Sequence, residues 1–262
     1  MIGTGVTNQI RALFSARTTF DGGIGGQITT QIIARQGSEP ALVTVTSNQI
    51  PASGSVAVTG ISTRLLSTPA TTTVTRKIDG SLGGIPGTLT CVESAAGDSS
   101  DAYTFTRKTA GIATTISPDT PFVIDTAGHD SWVNVIWMGR NNSYKPDEVK
   151  TDIAKAVAFL KTNPKQFVVL GITNAASEPV GSSQYTTITK LNQDLAATYP
   201  NNFIDIRAYL VSQYDPTNAQ DITDHANDVV PTSLRRDPLH LNAKGDQVVA
   251  KKVAEFIQAK GW

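Results

Sequence analysis

Apolar and polar positions change their period twice along the chain. From about Ser38 to Ser117 they alternate, as in Ala41-Leu42-Val43-Thr44-Val45, Ser55-Val56-Ala57-Val58-Thr59, Thr71-Thr72-Thr73-Val74-Thr75 and Tyr103-Thr104-Phe105-Thr106. Turn formers separate these stretches at Pro51, Asp79-Gly80, Gly83-Gly84 and Pro86-Gly87. β-Branched residues at period two between such turns predict a small antiparallel β module. Outside this block, short apolar runs alternate with helical periodicity. Val133–Met138, Phe167–Ile172 and Phe203–Ile206 read as buried strands. Pro146 opens a helix with Val149, Ile153, Val157 and Leu160 on one face and the acids Asp147 and Glu148 in its first turn. A further helix is predicted around Thr186–Tyr199, and a last one carries Val249, Val253, Phe256 and Ile257.

Strand and helix in alternation build parallel sheets covered by helices on both faces. The expected fold is therefore an α/β sandwich formed by residues 1–37 and 118–262, interrupted at 38–117 by a β-rich insert. In such sheets functional groups gather in loops at the carboxyl ends of the strands. That rule selects Asp21–Gln27, Gly139–Asn142, Gly171–Glu178 and Pro231–Asn242 for chemical reading.

Composition removes several function classes. Lys plus Arg is 22 and Asp plus Glu is 22, so no basic excess directs the chain to nucleic acid or an anionic membrane surface. Cys91 stands alone, which rules out an intrachain disulfide framework or a cysteine zinc cluster. No basic stretch followed by an apolar run opens the chain, and no apolar run reaches the ~18 residues of a membrane helix. The three histidines, His129, His225 and His240, show no paired metal-ligand spacing, so neither metal nor cofactor is expected. Compartment and oligomeric state stay open.

Asp237-Pro238-Leu239-His240 is the most informative stretch. A carboxylate three residues before an imidazole can fold back in one turn and accept a hydrogen bond from one ring nitrogen. That leaves the other nitrogen able to take a proton from a hydroxyl nucleophile. A plain turn before a helix cap is the competing use. Gly22-Gly23-Ile24-Gly25-Gly26, read as a turn after a short strand, would let backbone N–H groups approach an oxyanion. A tight turn with no further role is the alternative. Asn141 and Asn142, at the end of an apolar strand, offer side-chain amides for the same purpose or for capping a helix.

In chain order these three segments resemble the blocks of the SGNH (GDSL-type) hydrolase family. Asp21–Gln27 looks like the second block, Gly139–Asn142 is similar to the third, Gly-x-Asn-Asp, and Asp237–His240 matches the fifth, Asp-x-x-His, before the C-terminal helix. The resemblance implies a flavodoxin-like three-layer sandwich and cleavage of small acyl, notably acetyl, esters. It implies roles for Gly26 as a backbone oxyanion donor, Asn141 as a side-chain oxyanion donor, His240 as base and Asp237 as its orienter. Asn142 departs from the family's Asp, which puts a supporting hydrogen bond in question. A small-molecule or polysaccharide ester is the expected substrate, with the threonine-rich insert as a candidate binding surface. A non-catalytic carbohydrate- or protein-binding module on the same fold is the alternative.

The family's first block, Gly-Asp-Ser, is absent from its expected place. Ser15 falls within the helix predicted over Val6–Arg17, whose buried face is Ile10, Leu13 and Phe14. Gly97-Asp98-Ser99 falls in the β module, where it has an ordinary turn composition. Met1–Val6 looks like the segment that follows the serine, so the nucleophile is expected just before Met1, on a first strand missing with it. A pseudoenzyme would keep that strand and swap the serine; losing both predicts a truncated chain or a misplaced start codon. His129-Asp130 reads as a solvated turn and Asp224-His225 as surface loop. Glu178 reads as a helix N-terminal carboxylate or a residue at the site mouth.

Overall fold

The structure, a computed structural model, describes residues 4–69, 72–94 and 100–262. In chain order, α1 spans Thr4–Leu13 and α2 Thr29–Gln36, followed by β1 (Leu42–Val45), β2 (Gln49–Ile50), β3 (Ser55–Ile61), β4 (Val74–Leu82), β5 (Ile85–Glu93), β6 (Ala102–Arg107), β7 (Thr114–Thr115) and β8 (Thr120–Ile124). Then come β9 (Asn134–Ile136), α3 (Pro146–Phe159), β10 (Phe167–Leu170), α4 (Ser183–Thr198), β11 (Phe203–Ile204), α5 (Ile206–Ser212), α6 (Ala219–Ala226) and α7 (Ala243–Ala259). Two compact units emerge. One takes in the chain up to Gly23, Trp132–Ile153 and Lys161–Trp262; the other takes in Ile24–Ser131 and Ala154–Leu160. None of the described helices is long and apolar enough to cross a membrane.

The second of these units is built on a closed barrel of order β1-β3-β6-β5-β4-β8, with every neighbouring pair antiparallel. Period-two alternation sends one row of side chains inward: Val43, Val45, Leu82, Leu89, Cys91, Phe105 and Phe122 are buried together. Phe105 and Phe122 meet edge to face at 6.2 Å. The β4–β5 hairpin turns on Gly83-Gly84, with φ of +56° and +78°, the pair of positive angles of a type I′ two-residue turn. A side chain at Gly83 would also meet Ile116 Cγ2 at 2.6 Å. The outward row is hydroxyl-rich. Thr88, Thr90 and Thr106, with Lys77, Ile78 and Asp79, line a shallow depression of about 390 Å³.

The other unit holds a three-stranded parallel sheet of order β11-β10-β9. Val168 and Leu170 of β10 pack with Ile204, Leu210, Val249, Val253 and Ile257 in a second core. Each such aliphatic side chain contributes roughly 1.5–3 kcal/mol by leaving water. α1 adds Val6 and Ile10 to this core, but Leu13 is half-exposed rather than buried, because the helix ends there and Phe14 takes the inward place.

These observations overturn the flavodoxin-like three-layer sandwich. Parallel pairing among the described residues is confined to three strands of two to four residues, and the largest sheet is the antiparallel barrel. The stretch before Asp21, expected to be a strand, forms none, and Phe20 within it is 58% exposed. β8 lies beyond the predicted end of the alternating block, yet it closes the barrel by pairing with both β1 and β4.

Candidate active site

Asp237 and His240 sit in a tight loop between Leu234 and α7. Its base is closed by an antiparallel bridge between Arg235 and Leu241, by Arg236 N–H donating to His240 O at 2.9 Å, and by Asn242 N–H donating to Leu234 O at 3.0 Å. Asn242 fixes the junction twice. Its side-chain oxygen accepts from Lys244 and Gly245 N–H as the cap of α7, and its amide donates to Ser233 and Arg235 carbonyls. Gly245 is required here, since a side chain would meet Leu234 O at 2.4 Å.

Within this loop Asp237 Oδ1 accepts from the backbone N–H groups of Leu239 at 2.9 Å and His240 at 2.8 Å. Its Oδ2 lies 2.9 Å from His240 Nδ1. The His240 and Leu239 amides, with the imidazole, hold the Asp237 carboxyl far below the usual carboxylate range. An ionised carboxylate on Nδ1 places the ring proton there and turns Nε2 into the acceptor. Nε2 carries no hydrogen bond among the described residues. The ring is 49% exposed, open to a reacting group.

The loop hangs from α6, which sequence reasoning took for surface coil. Asn218 caps that helix, and its inward carboxylates Asp221 and Asp224 are buried. Asp221 accepts from Ser233 N–H at 2.9 Å and Ser233 Oγ at 2.5 Å, and from Asp215 N–H. Asp224 accepts from Thr232 N–H and Oγ1 at 2.7 and 2.6 Å and pairs with Arg235 at 2.7 Å. Burial pushes both carboxyls up, but these hydrogen bonds, with Arg235 for Asp224, pull both below the ordinary value. The i, i+3 spacing of two acids after a capping Asn was the available signal. His225, beside Asp224, stacks on Tyr214 at 4.1 Å.

Asn141 occupies the 3-10 turn Arg140–Asn142 after β9, half-buried. The turn starts at Gly139, whose φ of +109° and closeness to Val149 and Ile172 exclude any side chain. Asn142 is buried and donates to Glu148 Oε1 at 2.8 Å. An Asp there would set two carboxylates at hydrogen-bond distance, which accounts for the amide. Glu178 is neither at a helix N-terminus nor unpaired: it bonds Arg140 at 2.9 Å and accepts from Ala175 N–H at 2.7 Å. Ala176 N–H in turn donates to Pro238 O at 2.8 Å, joining this turn to the Asp237–His240 loop.

Asn141, Asp237 and His240 thus belong to one compact unit, and Gly26 to the other. Gly26 has φ of +82°, and a side chain on it would meet Pro69 at 2.8 Å. The adjacent Gln27 donates to the carbonyls of Leu65 and Ser67. Ser15 lies exposed in the turn after α1, while Gly97, Asp98 and Ser99, like Met1, lie outside the described residues. His129 and Asp130 form a 3-10 turn in which Asp130 is buried rather than solvated. Among the described residues no group of three His, Cys, Asp or Glu is disposed to hold a metal ion.

No family model matches the chain. It is similar to the tail spike protein of Salmonella phage epsilon15, 32% identical over 246 residues that cover 81% of this chain and 22% of that protein. The chain therefore spans about a fifth of that relative's length. Among solved structures it is similar to a peptidoglycan O-acetylesterase, with a TM-score of 0.35 and 9% identity over 97% of this chain and 85% of the other. A likeness of that size establishes neither fold nor activity.

Proposed function

We propose that Asp237 and His240 are the orienter and base of a hydroxyl-nucleophile ester hydrolase acting on small acyl esters, acetyl included. The observation that carries this reading is the carboxylate held on Nδ1 at 2.9 Å, on a half-exposed ring whose Nε2 has no hydrogen bond among the described residues. In the proposed reaction Nε2 takes the proton of the nucleophile as its oxygen attacks the ester carbonyl, then returns it to the leaving alcohol. Asn141, in the same compact unit as His240, is the proposed side-chain donor to the oxyanion. Loss of one such donor costs ~10²–10³ in rate. The proposed nucleophile is a serine hydroxyl.

The proposed alcohol component is carbohydrate; the barrel, in the other compact unit, carries a hydroxyl-rich depression of its own. The same face favours the second reading, a binding module without catalysis.

Hydrolysis of p-nitrophenyl acetate by the full-length protein separates the two. Activity is expected, with His240→Ala reducing kcat/KM by about 10³-fold or more. Fluorophosphonate labelling and peptide mapping then identify the serine. An active protein indifferent to His240→Ala refutes the assigned base, and an inactive one that retains polysaccharide favours the binding module.

A further inference from the structure

The Asp237–His240 loop and the Gly139–Asn142 loop are far apart in sequence and are joined through a third turn, residues 174–178. We propose that Glu178 is a positioning residue for the ester-hydrolase reaction: it fixes the loop that carries Asn141 relative to the loop that carries His240. The inference rests on the functional reading above.

Both carboxylate oxygens of Glu178 are committed. Oε1 takes the Arg140 guanidinium at 2.9 Å, and Oε2 takes Ala175 N–H at 2.7 Å. The turn closes on itself through Glu178 N–H to Ala175 O at 2.9 Å, and Asn174 Nδ2 donates to Glu178 O at 2.8 Å. One residue along, Ala176 N–H reaches Pro238 O at 2.8 Å, between Asp237 and His240. The root of the turn is also clamped, because the Asn192 side-chain amide bonds both N–H and C=O of Ile172. A continuous path therefore runs from the Arg140 side chain, whose backbone neighbour is Asn141, to the backbone of the His240 loop.

The ion pair in this path is not a surface decoration. The side chains of Arg140 and Glu178 are only 18% and 15% exposed, so solvent screens them weakly and the planar guanidinium sets a direction as well as a charge. Displacement of a catalytic group by an ångström costs on the order of 10²-fold in rate, so a tether of this kind acts on turnover rather than on substrate affinity.

The test is a double-mutant cycle of Arg140→Ala and Glu178→Ala in the full-length protein, with Glu178→Gln as the conservative variant. Kinetics on p-nitrophenyl acetate are scaled to folded protein. Each single alanine variant is expected to lower kcat about 10-fold with KM within about twofold, and the double variant to be no worse than the poorer single. Glu178→Gln keeps an acceptor for Ala175 N–H and is expected to lose only about threefold. A purely structural Glu178 would lower thermal stability and leave kcat per folded molecule unchanged; that result, or additive losses, overturns the proposal. Substrate-free amide spectra of Arg140→Ala separate this inference from the functional reading. Arg140 has no bond to Leu239 or His240, so movement of their amide signals supports the tether even if no ester is cleaved, and unmoved signals overturn it.

Discussion

The barrel and the loop region that holds Asp237 and His240 are ordered by different means. In the barrel, each strand of the closed set finds its partners on both sides, and the interior is filled by aliphatic and aromatic side chains such as Leu89, Phe105 and Phe122. Around the candidate site, order comes from charged and amide side chains that reach into loops. Asp221 and Asp224 hold residues 232–235, Asn242 holds 233–245, and Glu178 bridges Arg140 and Ala175. A packed interior spreads its stability over many small contacts, whereas a polar network concentrates it in a few groups whose removal leaves buried partners unsatisfied. The two regions should therefore respond to opposite kinds of damage.

The largest effect is expected at Asp224. Replacing it by alanine leaves the Arg235 guanidinium, 10% exposed, without its counter-charge, with only the Val230 carbonyl and the Thr232 hydroxyl as acceptors, and removes the acceptor of Thr232 N–H and Oγ1. Breaking one side of a buried pair costs ~3–5 kcal/mol, measurable by urea denaturation. Asp224→Asn, which keeps the shape and loses the charge, should recover less than half of that. A cost under about 1 kcal/mol for the alanine variant would show that the loop is held by its backbone bonds and the carboxylates are incidental.

In the barrel the order of tolerance reverses. Leu89→Ala is expected to cost ~2–5 kcal/mol through the cavity it opens, while Leu89→Met, close in volume, costs under about 1.5 kcal/mol. Shape conservation rescues the barrel and does not rescue the loop. If Asp224→Asn proves as mild as Leu89→Met, the contrast between the two regions collapses.

The same contrast explains what could be read from the chain. Alternation at Val43–Val45, Val56–Val58 and Tyr103–Phe105 announces strands because the pattern is local and repeats every second residue. Barrel closure was not legible, since it depends on β8 joining β1 to β4 across many residues. The parallel sandwich failed for the same reason: apolar runs at 133–138, 167–172 and 203–206 mark strands but do not say how many partners the sheet will find. At the site, the Asp237–His240 contact spans three residues and was visible. The burial of Asp221 and Asp224 and the pairing of Glu178 with Arg140 depend on segments 8 to 38 residues away, and a polar side chain gives no sign in sequence of which distant carbonyl or amide it will meet.

The smallest expected effect tests whether every carboxylate near the site loop belongs to the network. Asp246, in the first turn of α7, does not. Its Oδ2 would lie 1.9 Å from a side-chain carbon at Gly5, and no hydrogen bond to it exists among the described residues. Burial against α1 raises its pKa, and Arg236 opposes this only in part. The native state thus holds this proton more tightly than the unfolded chain does, whose Asp titrates near ~3.9. The favourable contribution is complete below that value and is lost as pH rises through the raised native pKa, leaving a strained charge at neutral pH. Asp246→Asn should then raise stability at pH 7 by about 0.5 kcal/mol, or ~1–2 °C in Tm, and the gain should shrink as pH is lowered from 7 towards 4. Asp221 and Asp224, whose pKa values are lowered, give the opposite sign: their contribution is present above the unfolded value and disappears on acidification. A loss of stability in Asp246→Asn at pH 7, or a gain that does not change with pH, would place Asp246 among the carboxylates that hold the loop.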